Sequence, residues 1–239
     1  MERNFFMGGD SPSIVPDQAT ETHTGSQPWL QVRNPGQPKG IAFNLVTPRA
    51  ADVNFQVMAH VTARIPRFNA QTEGNRIYSV AHHEIEGARA ILRETGNRYH
   101  AGAYFIHDGH EYVLGDTARP VQEGLCAHAV LNGGDLWYAD IVQGAFKSLK
   151  AAVDAAIYPA AGFPWPLDPE TARVVKEMDM RMGRTERDAL MAPPPAPWQD
   201  VYQNAEPVQL VDLYPYSEGT IEAIWLDMAR ELLPVFQTK

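Results

Sequence analysis

The chain of 239 residues has a single cysteine, Cys126. That excludes an intrachain disulfide framework and a cysteine-based zinc site, and it fits a reducing compartment. No stretch approaches the roughly 18 consecutive apolar residues of a membrane span. Residues 1–10 hold Arg3 but no apolar run of signal-peptide length. These absences lead to the expectation of a soluble, cytoplasmic protein with no membrane partner. Positive charge is also scarce: 20 Lys and Arg stand against 29 Asp and Glu, a net charge of -9. No basic field is available to hold long nucleic acid by counterion release, so an anionic partner would be a small molecule met by local groups of opposite sign.

What the chain does have is enough apolar residue, 44% of the whole, to build a sizeable core in one or two domains. That composition excludes collagen-like, coiled-coil and wholly disordered classes. Histidine is concentrated. Six of the eight, His60, His82, His83, His100, His107 and His110, lie between positions 60 and 110, where even spreading would put roughly two. Such clustering suits a metal or acid–base centre, although a run of surface histidines would produce it too.

Residues 1–40 carry Gly8, Gly9, Pro12, Pro16, Pro28, Gly36 and Pro38 with little apolar periodicity, and read as an extended N-terminal arm. Residues 41–239 read as one domain. Val53, Val57, Val61 and Ile65 recur at the helical interval, with Asp52 as the expected cap and Pro66 as the stop. A second helix is predicted over 79–94, with Ala81, Ile85, Ala88 and Leu92 on one stripe, and a third from about 101 through Asp108. Val142, Phe146, Leu149, Val153 and Ile157 mark an amphipathic helix over 139–158. Asp168-Pro169 starts another that runs to about 191, residues 192–197 form a proline-rich linker, and Ser217 caps a last helix bearing Ile221, Trp225, Met228 and Leu232. With no convincing run of alternating strands, the fold class is all-α.

The helix after Pro169 contains a conflict. At about 100° per residue, Val175, Met178, Met182 and Ala189 share one apolar face, and Asp179 and Glu186 project from the middle of it. A carboxylate there is costly without a metal, a cation or strong donors, and a buried pair with an arginine would serve as well as a metal. His107 and Asp108 together offer an imidazole nitrogen and a carboxylate to a divalent cation, and Glu111 returns to the same helical face. Of the neighbours His82 and His83, helical geometry does not choose a further ligand.

Four blocks, in order, resemble a known family. They are Ala-His-Val-Thr-Ala-Arg-Ile-Pro-Arg-Phe-Asn at 59–69, Tyr-Ser-Val-Ala-His-His at 78–83, Ile-His-Asp-Gly-His-Glu at 106–111 with Gly115-Asp116, and Lys-Glu-Met-Asp at 176–179. The chain from about 41 to 191 looks like the HD-domain metal-dependent phosphohydrolases, most nearly the branch of bacterial HD-type 5'-nucleotidases and phage deoxynucleoside triphosphohydrolases. The resemblance implies an HD-type helical bundle with a C-terminal helix. It implies that His83, His107, Asp108 and Asp179 bind Mn, Co, Fe, Ni or Zn, and that His82 occupies a variable slot. Glu111 would orient water or pass a proton, Asp116 would be a second acid–base group, and Arg64, Arg67 and Arg76 would meet substrate phosphate. His110 stands where the family commonly has a small residue. It is expected beside the ligands, against substrate or exposed, but not as a ligand. The segment Ala70-Gln71-Thr72, followed by Glu73-Gly74-Asn75, departs from the family pattern.

The implied activity is hydrolysis of a deoxynucleotide, either a monophosphate or the α-phosphate of a triphosphate such as dATP, by metal-activated water. A dimer or larger homo-oligomeric ring is implied as well. The alternatives are a nucleotide sensor on an HD scaffold and a cyclic-dinucleotide or guanosine-tetraphosphate hydrolase. Intact ligand positions disfavour the first, and the Arg-Ile-Pro-Arg-Phe-Asn and Leu-Gly-Asp segments disfavour the second.

Overall fold

The computed structural model describes residues 27–198 and 200–237, so most of the expected N-terminal arm lies outside the described residues. What is described is predominantly helical. The described end of the arm holds β1 (Trp29–Val32), antiparallel to β2 (Ile41–Asn44) in a small sheet that the sequence did not announce. Each strand is only four residues long, too short for alternation to stand out. Val32 and Phe43 are its buried residues, and Phe43 meets Tyr112 edge-on at 5.8 Å between ring centroids.

Helix α1 (Phe55–Thr62) is capped by Asn54, whose side chain accepts from the backbone of Gln56 and Val57. The expected cap, Asp52, is instead held by Arg49 at 2.8 Å and closes a single 3-10 turn. Helix α2 (Val80–Thr95) starts at Ser79 as expected, and Ala81, Ile85 and Ala88 are fully buried. It packs against α1, α3 (Arg98–Phe105), α7 (Pro169–Leu190) and α9 (Glu218–Leu232), which makes it the hub of the core.

The third helix does not continue through His107 and Asp108. It ends at Phe105, a tight turn follows, and Glu111 opens the one-turn helix α4 (Glu111–Leu114). Helix α5 (Arg119–Gly133), unannounced by the sequence, has no fully buried residue and packs on α6 (Trp137–Ala161). Its periodicity is hidden because its apolar side chains, including Val121, Leu125 and Leu131, are exposed. Asp168 caps α7 by accepting from the backbone of Glu170 and Thr171, and Ser217 caps α9, both as expected. A short α8 (Asp200–Gln203) follows the proline-rich linker. Among the described residues no helix is long and apolar enough to cross a membrane.

Two buried groups tie this core to what lies beside it. Trp225 of α9 is fully buried against Phe105, and its Nε1 donates to Glu84 Oε2 at 2.8 Å. Burial pushes the Glu84 carboxyl up to about 8, so at neutral pH the folded protein holds a proton that the unfolded chain releases near 4.5. The resulting stability is complete below about pH 4.5 and is lost as pH rises toward 8. Gly87 of α2 lies against Tyr104, and a Cβ built there would overlap that ring.

Two predictions come from this packing. In metal-stripped protein, Glu84→Gln should gain on the wild type in urea midpoint as pH is raised from 5 to 8, whereas a constant difference would show that Glu84 does not hold its proton. Gly87→Ala should lose ~1–3 kcal/mol of stability in chemical denaturation. The overlap with Tyr104 outweighs the ~1 kcal/mol that alanine normally gains over glycine inside a helix.

Candidate metal centre

His83 is fully buried on α2, and both of its ring nitrogens are engaged. Its Nδ1 lies 2.7 Å from Glu186 Oε1 of α7 and so donates its proton there, which turns the Nε2 lone pair inward. His107 is fixed in the same sense from the turn after α3, where its Nδ1 donates to the backbone carbonyl of Tyr104 at 2.7 Å. Its ring stacks on Tyr104 at 4.4 Å, and the Tyr104 hydroxyl reaches His83 Nε2 at 2.9 Å. Two imidazoles therefore present Nε2 to one point from two different elements.

Asp108 and Asp179 complete the group. His83 Nε2 lies 3.3 Å from Asp179 Oδ1, 3.4 Å from His107 Nε2 and 3.8 Å from Asp108 Oδ2. His107 Nε2 lies 3.4 Å from Asp108 Oδ2 and 3.6 Å from Asp179 Oδ1. Direct charge-assisted hydrogen bonds would be about 2.7–2.9 Å. Tetrahedral ligands on ~2.1 Å bonds stand about 3.4 Å apart. The separations are those of ligands around a shared ion, so these four residues could hold a divalent metal. His83 lies innermost, its side chain 0% exposed, and the group meets solvent at Asp179, whose side chain is 36% exposed.

Charge within the group is strongly paired. Burial and the Arg67 charge oppose a proton on His83, but Glu186 and Asp179 outweigh them and raise its pKa to about 9. Burial would raise the Asp179 carboxyl, yet the facing His107 and His83 rings hold it well below the usual range. Asp108, likewise buried, is held at about 2, chiefly by His107. A divalent cation would take the place of the imidazole protons here.

Arg67 links this centre to its supports. Its Nη1 reaches Asp108 Oδ2 at 3.4 Å and its Nη2 reaches Glu186 Oε2 at 3.1 Å, while its Nε is buried with no hydrogen-bond partner among the described residues. Glu186 is the residue the sequence reading left without a role. Its place on the apolar face of α7 was visible, but its two partners come from α2 and from the loop after α1. Just past Arg67, the backbone of Phe68, Asn69 and Ala70 adopts φ of 54°, 51° and 59°, a left-handed run that non-glycine residues rarely take and that is concentrated at ligand clamps.

Two cavities flank the centre, and Asp108 and Asp179 line both. The first, of 390 Å³, is also lined by Arg67, Phe68, Glu111, Asp116, Trp198 and Tyr202. The second, of 560 Å³, takes in Lys150, Lys176, His110 and Trp165. Burial first, then Asp108 and Asp116, pushes the Glu111 carboxyl well up, and burial raises Asp116 also.

Of the residues singled out in the sequence, His83, His107, Asp108, Asp179, Glu111, Asp116 and Arg67 come together. Arg64 and Arg76 do not. Arg64 meets Glu222 and the carbonyl of His60, and Arg76 lies exposed over the Tyr214 ring. His82 is buried at the start of α2, where its Nδ1 accepts from the Ser79 backbone N–H at 3.1 Å.

No family model matches the chain. It is 28% identical to an uncharacterised protein of Rhodobacter capsulatus over 172 residues, which cover 71% of this chain and 79% of that relative.

Loss of the Glu186 charge should loosen the His83 orientation. For Glu186→Gln, calorimetric titration with Mn²⁺ should give a ~10- to 100-fold weaker dissociation constant with helical content unchanged. An unaltered constant would show that Glu186 does not support the centre.

Proposed function

We propose that the protein is a metal-dependent phosphohydrolase of the HD type that cleaves a phosphate bond of a deoxynucleotide. The observation that carries this reading is the convergence of His83, His107, Asp108 and Asp179 at separations suited to one ion. It is supported by the Nδ1 contacts to Glu186 and to the Tyr104 carbonyl, which direct the Nε2 of each ring to the shared point. Two imidazoles and two carboxylates suit Mn, Co, Fe, Ni or Zn. When bound, such an ion supplies Lewis-acid chemistry, acidifying water and polarising a phosphoryl oxygen.

The remaining tasks fall to the protein's own groups. Arg67, which lines the first cavity, offers its guanidinium to a phosphate. Glu111 and Asp116, whose carboxyls are pushed up by burial, can each hold a proton for the departing oxygen. Phe68, Trp198 and Tyr202 give the first cavity aromatic walls against which a base can lie, and 390 Å³ falls within the ~300–1,000 Å³ of small-molecule sites. Self-association is part of the same reading, supported by the exposed apolar side chains of Leu125, Leu131, Leu136 and Trp137 on and between α5 and α6.

Metal-stripped protein reloaded with Mn, Co or Zn should release phosphate from deoxynucleoside monophosphates or triphosphate from deoxynucleoside triphosphates, the two products being assayed separately. Asp108→Ala should reduce turnover by more than the ~10- to 100-fold that loss of a supporting residue costs. No release with any of the metals would sink the reading.

A further inference from the structure

Beside the four-residue centre lies a second group of donor atoms with a different composition. A ring nitrogen of His110 and carboxylate oxygens of Asp108 and Glu111 lie within 4.8 Å of one another. Two of the three carry an unanswered polar atom. His110 is 4% exposed and Glu111 6%, and His110 Nε2 and Glu111 Oε2 are both buried with no hydrogen-bond partner among the described residues. A buried polar atom left without a partner costs on the order of 1–3 kcal/mol, so both groups call for a ligand.

The imidazole is also oriented for one. His110 Nδ1 lies 3.0 Å from Asp154 Oδ1 of α6 and donates its proton there, which leaves Nε2 with its lone pair. This is the arrangement that Glu186 imposes on His83, built a second time from different elements. Asp108 belongs to both groups. Its Oδ2 faces His83, His107 and Arg67.

We infer that Asp108, His110 and Glu111 form a second divalent-cation site, joined to the first through the Asp108 carboxylate. One imidazole and two carboxylates suit a borderline transition ion such as Mn²⁺. The site rests on the four-residue group holding the first ion. Occupancy makes Glu111 a ligand and leaves Asp116 to hold the proton at the first cavity. It also places positive charge beside Lys150 and Lys176, on the wall of the second cavity, where an anionic ligand would meet it.

Equilibrium dialysis of the full chain against saturating Mn²⁺, with elemental analysis, tests the site. The wild type should hold two ions per chain, His110→Ala one and Asp179→Ala one. Asp154→Ala should keep the tight site and weaken the other ~10- to 100-fold, and circular dichroism should match the wild type in each case. Spin coupling between two Mn²⁺ ions, lost in His110→Ala, would report the shared Asp108 carboxylate. One ion in the wild type, or two retained in His110→Ala, would overturn the second site while leaving the first in place. No bound ion at all would overturn both.

Discussion

A single buried carboxylate organises the centre. Glu186 is fully buried on the apolar face of α7, and its two oxygens reach His83 on α2 and Arg67 in the loop after α1. Left alone, that charge would cost several kcal/mol or force the group to take up a proton. Paired, it stays ionised. Burial opposes ionisation, but His83 and Arg67 together hold its pKa below the usual value. Three segments that are distant in the chain are thereby held in one arrangement, and the donor atoms of His83 and Asp179 meet because of it.

Charge distribution reconciles an acidic chain with an anionic ligand. The net charge is -9, and Asp108 and Asp179, both held ionised, concentrate negative charge at the centre. Arg67 offsets part of it on one side, and Lys150 and Lys176 stand by the cavity on the other. A bound cation would reverse the local sign before a phosphate approaches. The same arithmetic that disfavours long nucleic acid therefore leaves a small phosphorylated ligand admissible.

Local signals in the sequence were reliable where one residue does one job. Asp168 and Ser217 cap their helices because a short polar side chain before an apolar repeat has few other uses, and Ser79 opens α2 for the same reason. They failed where a distant partner competes. Asp52 looked like a cap but is taken by Arg49. The helix expected through Asp108 stops at Phe105, and the turn that follows points His107 and Asp108 into the centre. Helix α5 escaped notice because, packed mainly on α6, it buries no residue completely and shows no core stripe.

The sequence by itself determined the predominantly helical class, the six-histidine concentration and the misplaced carboxylates of α7. Each is a matter of composition or of spacing along one helix. It could not assign the supports. Whether Arg64, Arg67 or Arg76 stands at the centre depends on which loop folds over α2, and only Arg67 does. That Glu186 and Asp154 hold imidazoles, and that His110 is buried with a nitrogen unanswered, depends on contacts across 103 and 44 residues of chain. Hydrogen bonds of that range are fixed by how helices pack, which no single segment encodes, and tertiary structure alone decided them.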